Sequence, residues 1–512
     1  MRKILVALIF ILITAMSGCA DKSAEIIPER TSLSVLIYDR GDVPEGAGTI
    51  TDNAVTRWIQ ENFGEPNNID VSFVSVPRTN AREIMVLLAS GDAPDIVYAY
   101  ELPTMHRYYL NGDVIELDDY LDSFPKLVEF IGEERIEQCM LDGKKVVIPA
   151  RRLISGRQAQ LVRKDWLDKL GLDVPQNTDE FYDMLCKFRD YDPGNNGDKN
   201  IPYGISGNSA NYSDLINSFL DVDFSDEVFM NCGNIVSEPG FKDGLRFMNK
   251  MYNEGLLSPN FEYDKERKKV ESDIAAGYVG FFCDDLGRPL QVGGVYEQLK
   301  NNIPGAELAA VDTWTSKNGS KNKCVYDDIG LFIGINSTCR TPENALKYLE
   351  WISEPDVLNV LQYGFEGVTY EYDKNNYPVV IESTQSRINH WYNLGFDLSL
   401  TVNGKFSENE DEIIGYNAAA TVDPQLYKAC YENSVRDGWT KRHVSLLYDI
   451  PEAVNDSVRR DELSITFMVD CIICSPEEFD SLFDNTLAQY TSLGIDKIVE
   501  GNYEDYYSRY GN

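Results

Sequence analysis

The stretch DPGNNGDKNIP (192–202) spaces its oxygen-bearing side chains as a cation-binding loop does. Asp192 stands at position 1, Asn196 at 5, Gly197 at 6 for the sharp turn, Asp198 just after it and Asn200 at 9. Position 3 is Gly194 and position 12 is Tyr203, where a carboxylate would normally clamp calcium through two oxygens, so any calcium is expected to bind weakly. The same residues read equally well as a turn held by side-chain-to-backbone hydrogen bonds. Cys471 and Cys474 form a CxxC, but a zinc site needs two more soft ligands, and His106, His390 and His443 stand isolated. Core packing is the expected role of both thiols. The stretch RRLISGRQAQLVRK (151–164) holds five cations in an acidic chain. Facing a cleft it would hold a carboxylate; facing solvent, the expected case, it would pair with acidic neighbours. No nucleophile elbow, metal-ligand cluster or phosphate-cradling loop appears.

The elements that must position these groups come from an ordinary globular composition, 43% hydrophobic over 512 residues, enough for two or three domains. A net charge of −36 argues against nucleic acid or an anionic membrane surface as a partner. LSVLIY (33–38), VSFVSV (71–76) and PDIVYAY (94–100) read as buried strands. Between them lie a helix with Val55, Trp58, Ile59 and Phe63 on one face, stopped by Gly64, and a helix over about 80–90 followed by Gly91. This β-α-β-α-β order predicts a parallel sheet covered by helices. VVIPA (146–150), AAGYVGFFC (275–283) and DDIGLFIGI (327–335) add strands. Thr341-Pro342 opens a helix with Ala345, Leu346, Leu349 and Ile352 buried, and another helix over about 239–254 ends at Gly255. Tyr503, Tyr507 and Tyr510 form a helical stripe read as packing. Most of the ten cysteines sit in apolar or periodic segments and read as reduced, buried thiols.

At the N-terminus, Arg2 and Lys3 precede an apolar run, Ile4–Ala15, too short to span a bilayer. Met16-Ser17-Gly18-Cys19 then resembles the lipobox of bacterial lipoproteins, which implies that residues 1–18 are a signal peptide and that Cys19 carries lipid. Further stretches resemble one family, the extracellular solute-binding lipoproteins of bacterial ABC importers, in its long carbohydrate-type branch. They are LASGDAPDI (88–96), RKDWLDKLGLDVPQNTDEF (163–181), LRFMNKMYNEGLLSPN (245–260) and YGFEGVTYEYD (363–373). A loop like that at 192–202 recurs at this place in the family.

The resemblance implies an α/β, two-lobe periplasmic-binding-protein-like (type II) fold with a ligand cleft between the lobes. A linker would occupy 19–32, lobe 1 would hold 33–150 with about 327–362, and lobe 2 would hold 151–326 with about 363–512. Open α/β sheets bind ligands beyond the carboxyl ends of their strands. That geometry singles out Tyr38, Asp39 and Arg40, then Tyr98, Tyr100 and Glu101, then Arg151 with Arg152, then Asp284 and Asp285. Trp314, Trp391, Tyr392 and Trp439 lie in polar surroundings where a ring could be exposed to stack on sugar. Asp95, after the turn made by Gly91 and Pro94, is expected to cap neighbouring amides.

The expected function is capture of a carbohydrate, an oligosaccharide, by a monomer lipid-anchored to the outer face of the cell membrane, for delivery to an ABC permease. It needs no catalytic residues and no cofactor beyond weak calcium. The alternatives are a lipid-anchored glycoside hydrolase or lyase, or a binder of a peptide, polyamine or uronate.

Overall fold

The computed structural model describes residues 30–510 apart from 42, 78–81, 226–233, 317–318, 382, 390–397 and 441–456. The apolar runs form β1 (Thr31–Asp39), β2 (Ile69–Pro77), β3 (Ile96–Ala99), β4 (Ile148–Arg152), β5 (Gln158–Arg163), β6 (Ile201–Gly204), β7 (Val279–Asp285), β8 (Leu308–Val311), β9 (Cys324–Val325) and β10 (Ile329–Ile335). The short strands β11 (Tyr370–Tyr372), β12 (Pro378–Val380), β13 (Thr401–Val402) and β14 (Trp439–Thr440) follow. Six strands form one sheet in the order β13-β4-β10-β3-β1-β2, and four form a second in the order β6-β7-β5-β8. β1 runs parallel to β2 and β3, and β13 parallel to β4. β10 is antiparallel to both β3 and β4, so the larger sheet is mixed. The reason is topological: the chain leaves this sheet at the end of β4, builds the smaller sheet, and re-enters from that side as β10.

The buried runs explain the layering. Residues 35–38 of β1 and all of β10 are buried, as strands covered on both faces must be. One core gathers side chains from Leu33 to Ala150, from Ile329 to Leu361, and from Leu398, Leu400 and Val402. Alternate residues of β5 and β7 point to two further cores. Val162 and Phe281 join one with Trp166 and Phe467, while Leu161 and Phe282 join the other with Ile413 and Tyr427. Residues 398–402 thus pack with the larger sheet, although the sequence places everything after 363 with the second lobe. These residues, LSLTV, alternate apolar and polar as a strand does, but which sheet they join is decided only by pairing with β4.

Local chemistry accounts for the helix ends. The Asn53 side chain accepts from the amides of Val55 and Thr56 at 3.0 and 3.1 Å and starts the helix Ala54–Ile59. Gly64 does not stop that helix, which continues with a widened turn through Gln60–Gly64 to Asn67. Gly64 is needed for space instead, since a Cβ there would lie 2.4 Å from Nε2 of Gln60. The Gln60 amide is held over it by accepting from the Val71 amide at 2.7 Å and donating to the Ile69 carbonyl at 3.1 Å. Gly171 does act as expected, closing the helix Lys164–Leu170 in the left-handed region at φ 62°. Pro342 and the stripe Ala345, Leu346, Leu349 and Ile352 behave as read, but the Thr341 side chain makes no cap hydrogen bond. Its hydroxyl accepts from the Asn344 side chain instead.

All eight described cysteines are free, and four are buried. Cys471 packs in a core, and the Asn249 amide donates to the carbonyls of Cys471, Ile472 and Cys474 at 3.0, 3.1 and 2.8 Å. The CxxC therefore marks the capped end of the helix Ser457–Ile473. Tyr503 and Tyr507 stack on each other at 6.2 Å, with Tyr507 largely exposed.

Candidate functional site

Three segments cross between the sheets side by side. The first runs from β4 to β5, the second from β9 to β10, and the third from β13 to the helix Glu410–Ala419. Backbone hydrogen bonds tie them together: Arg152 N to Asp328 O at 2.6 Å, Tyr326 N to Ser155 O at 2.7 Å, and Leu153 N to Val402 O at 3.0 Å. Gly330 lets the third approach, because a Cβ there would meet a Val402 methyl at 1.9 Å. These crossings set the carboxyl ends of β1, β3 and β4 facing the ends of β6, β7 and β8 and the start of β5. The candidate site is the pair of facing edges with the crossings as its floor.

On the larger sheet's edge, Tyr38 and Tyr98 are each 1% exposed, so both support the site from behind and do not line it. That corrects the expectation for both; the last residues of a covered strand are still core. The Tyr38 hydroxyl donates to the Tyr98 carbonyl at 3.1 Å, and its ring stacks on Tyr100 at 5.3 Å. Arg40 then donates to the Tyr38 carbonyl and the Tyr100 hydroxyl at 3.1 and 3.0 Å. Asp39 caps the Gly41 amide at 2.8 Å, and Glu101 is exposed just before the helix Leu102–Leu110. Asp39, Arg40, Tyr100 and Glu101 are brought together here.

On the smaller sheet's edge, Asp284 is buried and ion-paired with the buried Arg267. Burial pushes its carboxyl up to about 6, against the pull of Arg267 and Arg288. It is a structural charge, and its candidacy as a ligand group is corrected. Asp285 remains exposed, within 3.4 Å of the Gln158 amide. The Gln160 amide donates to the Thr313 hydroxyl at 3.2 Å, while its buried Oε1 has no partner among the described residues. Trp314 is also corrected: it lies in the core, 4.5 Å from Phe181 and 6.1 Å from Phe281 between ring centroids. Trp439 is half-buried against the same core.

On the floor, Arg151 pairs with Glu410 at 2.9 Å and lies over Phe130 and Phe406. The guanidinium carbons of Arg152 and Arg157 lie 4.1 and 5.0 Å from the centroid of the Tyr326 ring. Asp327 follows, its carboxyl raised to about 7 first by burial and then by Asp328 beside it. Asp328 itself takes Arg135 at 2.6 Å. Tyr326, Asp327, Arg157 and Gln158 join the candidate site without having been singled out in the sequence; the available signal was their place just before one crossing strand or beside the start of another. Cys19, Trp391 and Tyr392 lie outside the described residues.

The 192–202 loop sits apart from these edges. Asp192 ends the helix Thr178–Tyr191 at φ 41°, and its carboxylate accepts from the amides of Asn196 and Gly197 at 2.9 and 2.7 Å. The Asn196 amide donates to Gly277 O, and that of Asn200 to Phe188 O. The buried Asn200 Oδ1 has no hydrogen-bond partner among the described residues. Asp198 is exposed, and among the described residues no three His, Cys, Asp or Glu side chains come together in a way that could hold a metal ion. Each Asp192 oxygen accepts one amide and keeps a further lone pair, and the Asn200 oxygen is unpartnered.

The facing edges offer phenol rings, guanidiniums, amides and carboxylates to a polar solute. Comparison with known proteins assigns the chain to a family. The profile of the bacterial extracellular solute-binding proteins matches residues 47–358, more than half of the chain, and the chain belongs to that family. The polygalacturonan/rhamnogalacturonan-binding protein YtcQ of Bacillus subtilis is 24% identical over 446 residues, 82% of this chain and 81% of its own. The fructooligosaccharide ABC transporter substrate-binding protein FusA of Streptococcus pneumoniae is 27% identical over 271 residues, 48% of this chain and 44% of its own. Among solved structures, the alginate-binding protein AlgQ2 without calcium ion is 18% identical with a TM-score of 0.69, covering 95% of this chain and all (100%) of its own. An HMO-binding solute-binding protein from Bifidobacterium longum infantis, also 18% identical, has a TM-score of 0.70 over 95% of this chain and 100% of its own. These likenesses establish the two-lobe, type II binding-protein fold. No described helix is long and apolar enough to cross a membrane.

Proposed function

We propose that this extracellular solute-binding protein captures an oligosaccharide between its two sheet edges and delivers it to the permease of an ABC importer. The observation that carries the reading is the floor of crossing segments, where the half-buried Tyr326 ring and the groups around it lie between two polar edges. Sugar C–H faces stack on aromatic rings, and hydroxyls take paired hydrogen bonds from Arg, Asp and amide groups. The sugars in the names of YtcQ and FusA support the same class. In this reading the chain is a monomer and a binder, not a hydrolase or lyase, and a bound oligosaccharide is recovered unshortened by mass spectrometry. Tyr326→Ala should weaken binding by about 1–3 kcal/mol if its ring carries a sugar. A purified chain that shortens the sugar, and loses that activity with one carboxylate, would replace this reading with an enzyme.

Lipid on Cys19 would hold the protein beside its permease, where tethering raises effective concentration. Cys19→Ala should leave it unprocessed or mislocalised; wild-type protein found wholly in the medium would contradict the anchor. We read the 192–202 loop as a turn that binds calcium only at millimolar levels. Equal melting temperatures in calcium and chelator would reduce it to the turn alone.

A further inference from the structure

Five cations lie in the stretch 151–164, and the structure divides them. Arg151 pairs with Glu410, Arg163 with Asp165 and Lys164 with Asp168, at 2.9, 2.7 and 2.5 Å. Arg152 and Arg157 have no carboxylate within ion-pair distance among the described residues. Yet the chain carries 83 acidic residues against 47 basic ones, so partners were abundant. Both guanidiniums are half-buried. Arg152 donates only a long hydrogen bond, 3.4 Å, from Nε to the Ile329 carbonyl, and the buried Nε of Arg157 has no partner at all among the described residues. Removing charge from water without pairing it is costly, and the cost is recovered when an anion arrives.

The surrounding acids act at longer range. Glu101 and Asp327 face Arg152, and Asp214 faces Arg157. Burial lowers the Arg152 guanidinium, whereas at Arg157 burial is outweighed by Cys324, Tyr326 and Asp214 and by a hydrogen bond with Tyr326, so Arg152 is the less compensated of the two cations. A guanidinium is a planar fork that matches a carboxylate through two parallel hydrogen bonds.

We infer that the site takes an acidic oligosaccharide, with the carboxylate of a uronate residue bound by Arg152 and Arg157 beside Tyr326. The inference rests on the oligosaccharide reading above and narrows its substrate class. A free sugar acid carries the same carboxylate and is therefore tested as a separate ligand.

Calorimetric titration of the full mature chain with trigalacturonate, trimannuronate, their neutral counterparts galactotriose and mannotriose, and monomeric galacturonate tests it. At least one acidic trimer should bind about tenfold or more tighter than its neutral counterpart and than the monomer. Arg152→Gln and Arg157→Gln should each cost the acidic trimer about tenfold more than they cost the neutral one, with Arg152→Lys restoring part of the loss. Should a Gln variant fail to fold, rising salt should weaken the acidic trimer and spare the neutral one in the wild-type chain. Equal affinity for acidic and neutral trimers, or a preference that survives both Gln variants, overturns the inference and leaves the oligosaccharide reading standing. A monomer bound as tightly as the trimers makes the ligand a free sugar acid and overturns it too. No binding to any sugar overturns both.

Discussion

Asp284 and Asp327 are chemically alike, and their surroundings give them different work. Asp284 is buried with Arg267, so Asp284→Ala would strand a buried guanidinium. The expected cost is about 3–5 kcal/mol, read as a fall in denaturant midpoint; a loss below about 1 kcal/mol would show that water reaches Arg267. Asp327 titrates at about 7 when folded, against ~3.9 in an unfolded chain. The folded state therefore holds the extra proton between those values, and the stability it lends is lost as pH rises through 7. Asp327→Asn stays neutral throughout, so its melting temperature should gain on the wild type from pH 5 to pH 8. A constant difference would mean that the carboxyl is not raised. Neither environment was legible in DD pairs that look the same on the page, because Arg267 and the crossing segments come from elsewhere in the chain. Trp314 teaches the same lesson. Its polar neighbours suggested exposure, but Phe181 and Phe281, far off in sequence, enclose it.

Elements were more legible than residues. The runs read as β1, β2, β3, β7 and β10 all form strands, because a continuous apolar run bounded by turn residues has few other ways to be buried. The antiparallel entry of β10 and the capture of β13 were not legible, since both depend on where the chain returns. Asp95 shows how one side chain fixes such pairing. Its carboxylate accepts from the amide and hydroxyl of Ser34 at 2.7 and 2.8 Å, locking the start of β3 to β1. That contact lies at the opposite end of the sheet from the candidate site. Asp95→Ala should therefore cost about 1.5–3 kcal/mol of stability and leave ligand affinity unchanged. An affinity loss at unchanged stability would place Asp95 in the site.

At the scale of the whole molecule, two sheets joined by three crossing segments can close on a solute by bending only those segments, while each sheet keeps its own core. The family motifs made this architecture readable, and the carboxyl-end rule brought four of the shortlisted groups, Asp39, Arg40, Tyr100 and Glu101, to one edge. The floor was not readable, because Arg152, Arg157 and Tyr326 become neighbours only when the crossings lie side by side. The measurement that tests the central claim most directly is calorimetric titration of the purified chain with neutral and acidic trisaccharides to hexasaccharides. One oligosaccharide series should bind with one molecule per chain, and affinity should rise with length until the facing edges are filled. No heat and no saturation with any member of the panel would contradict it.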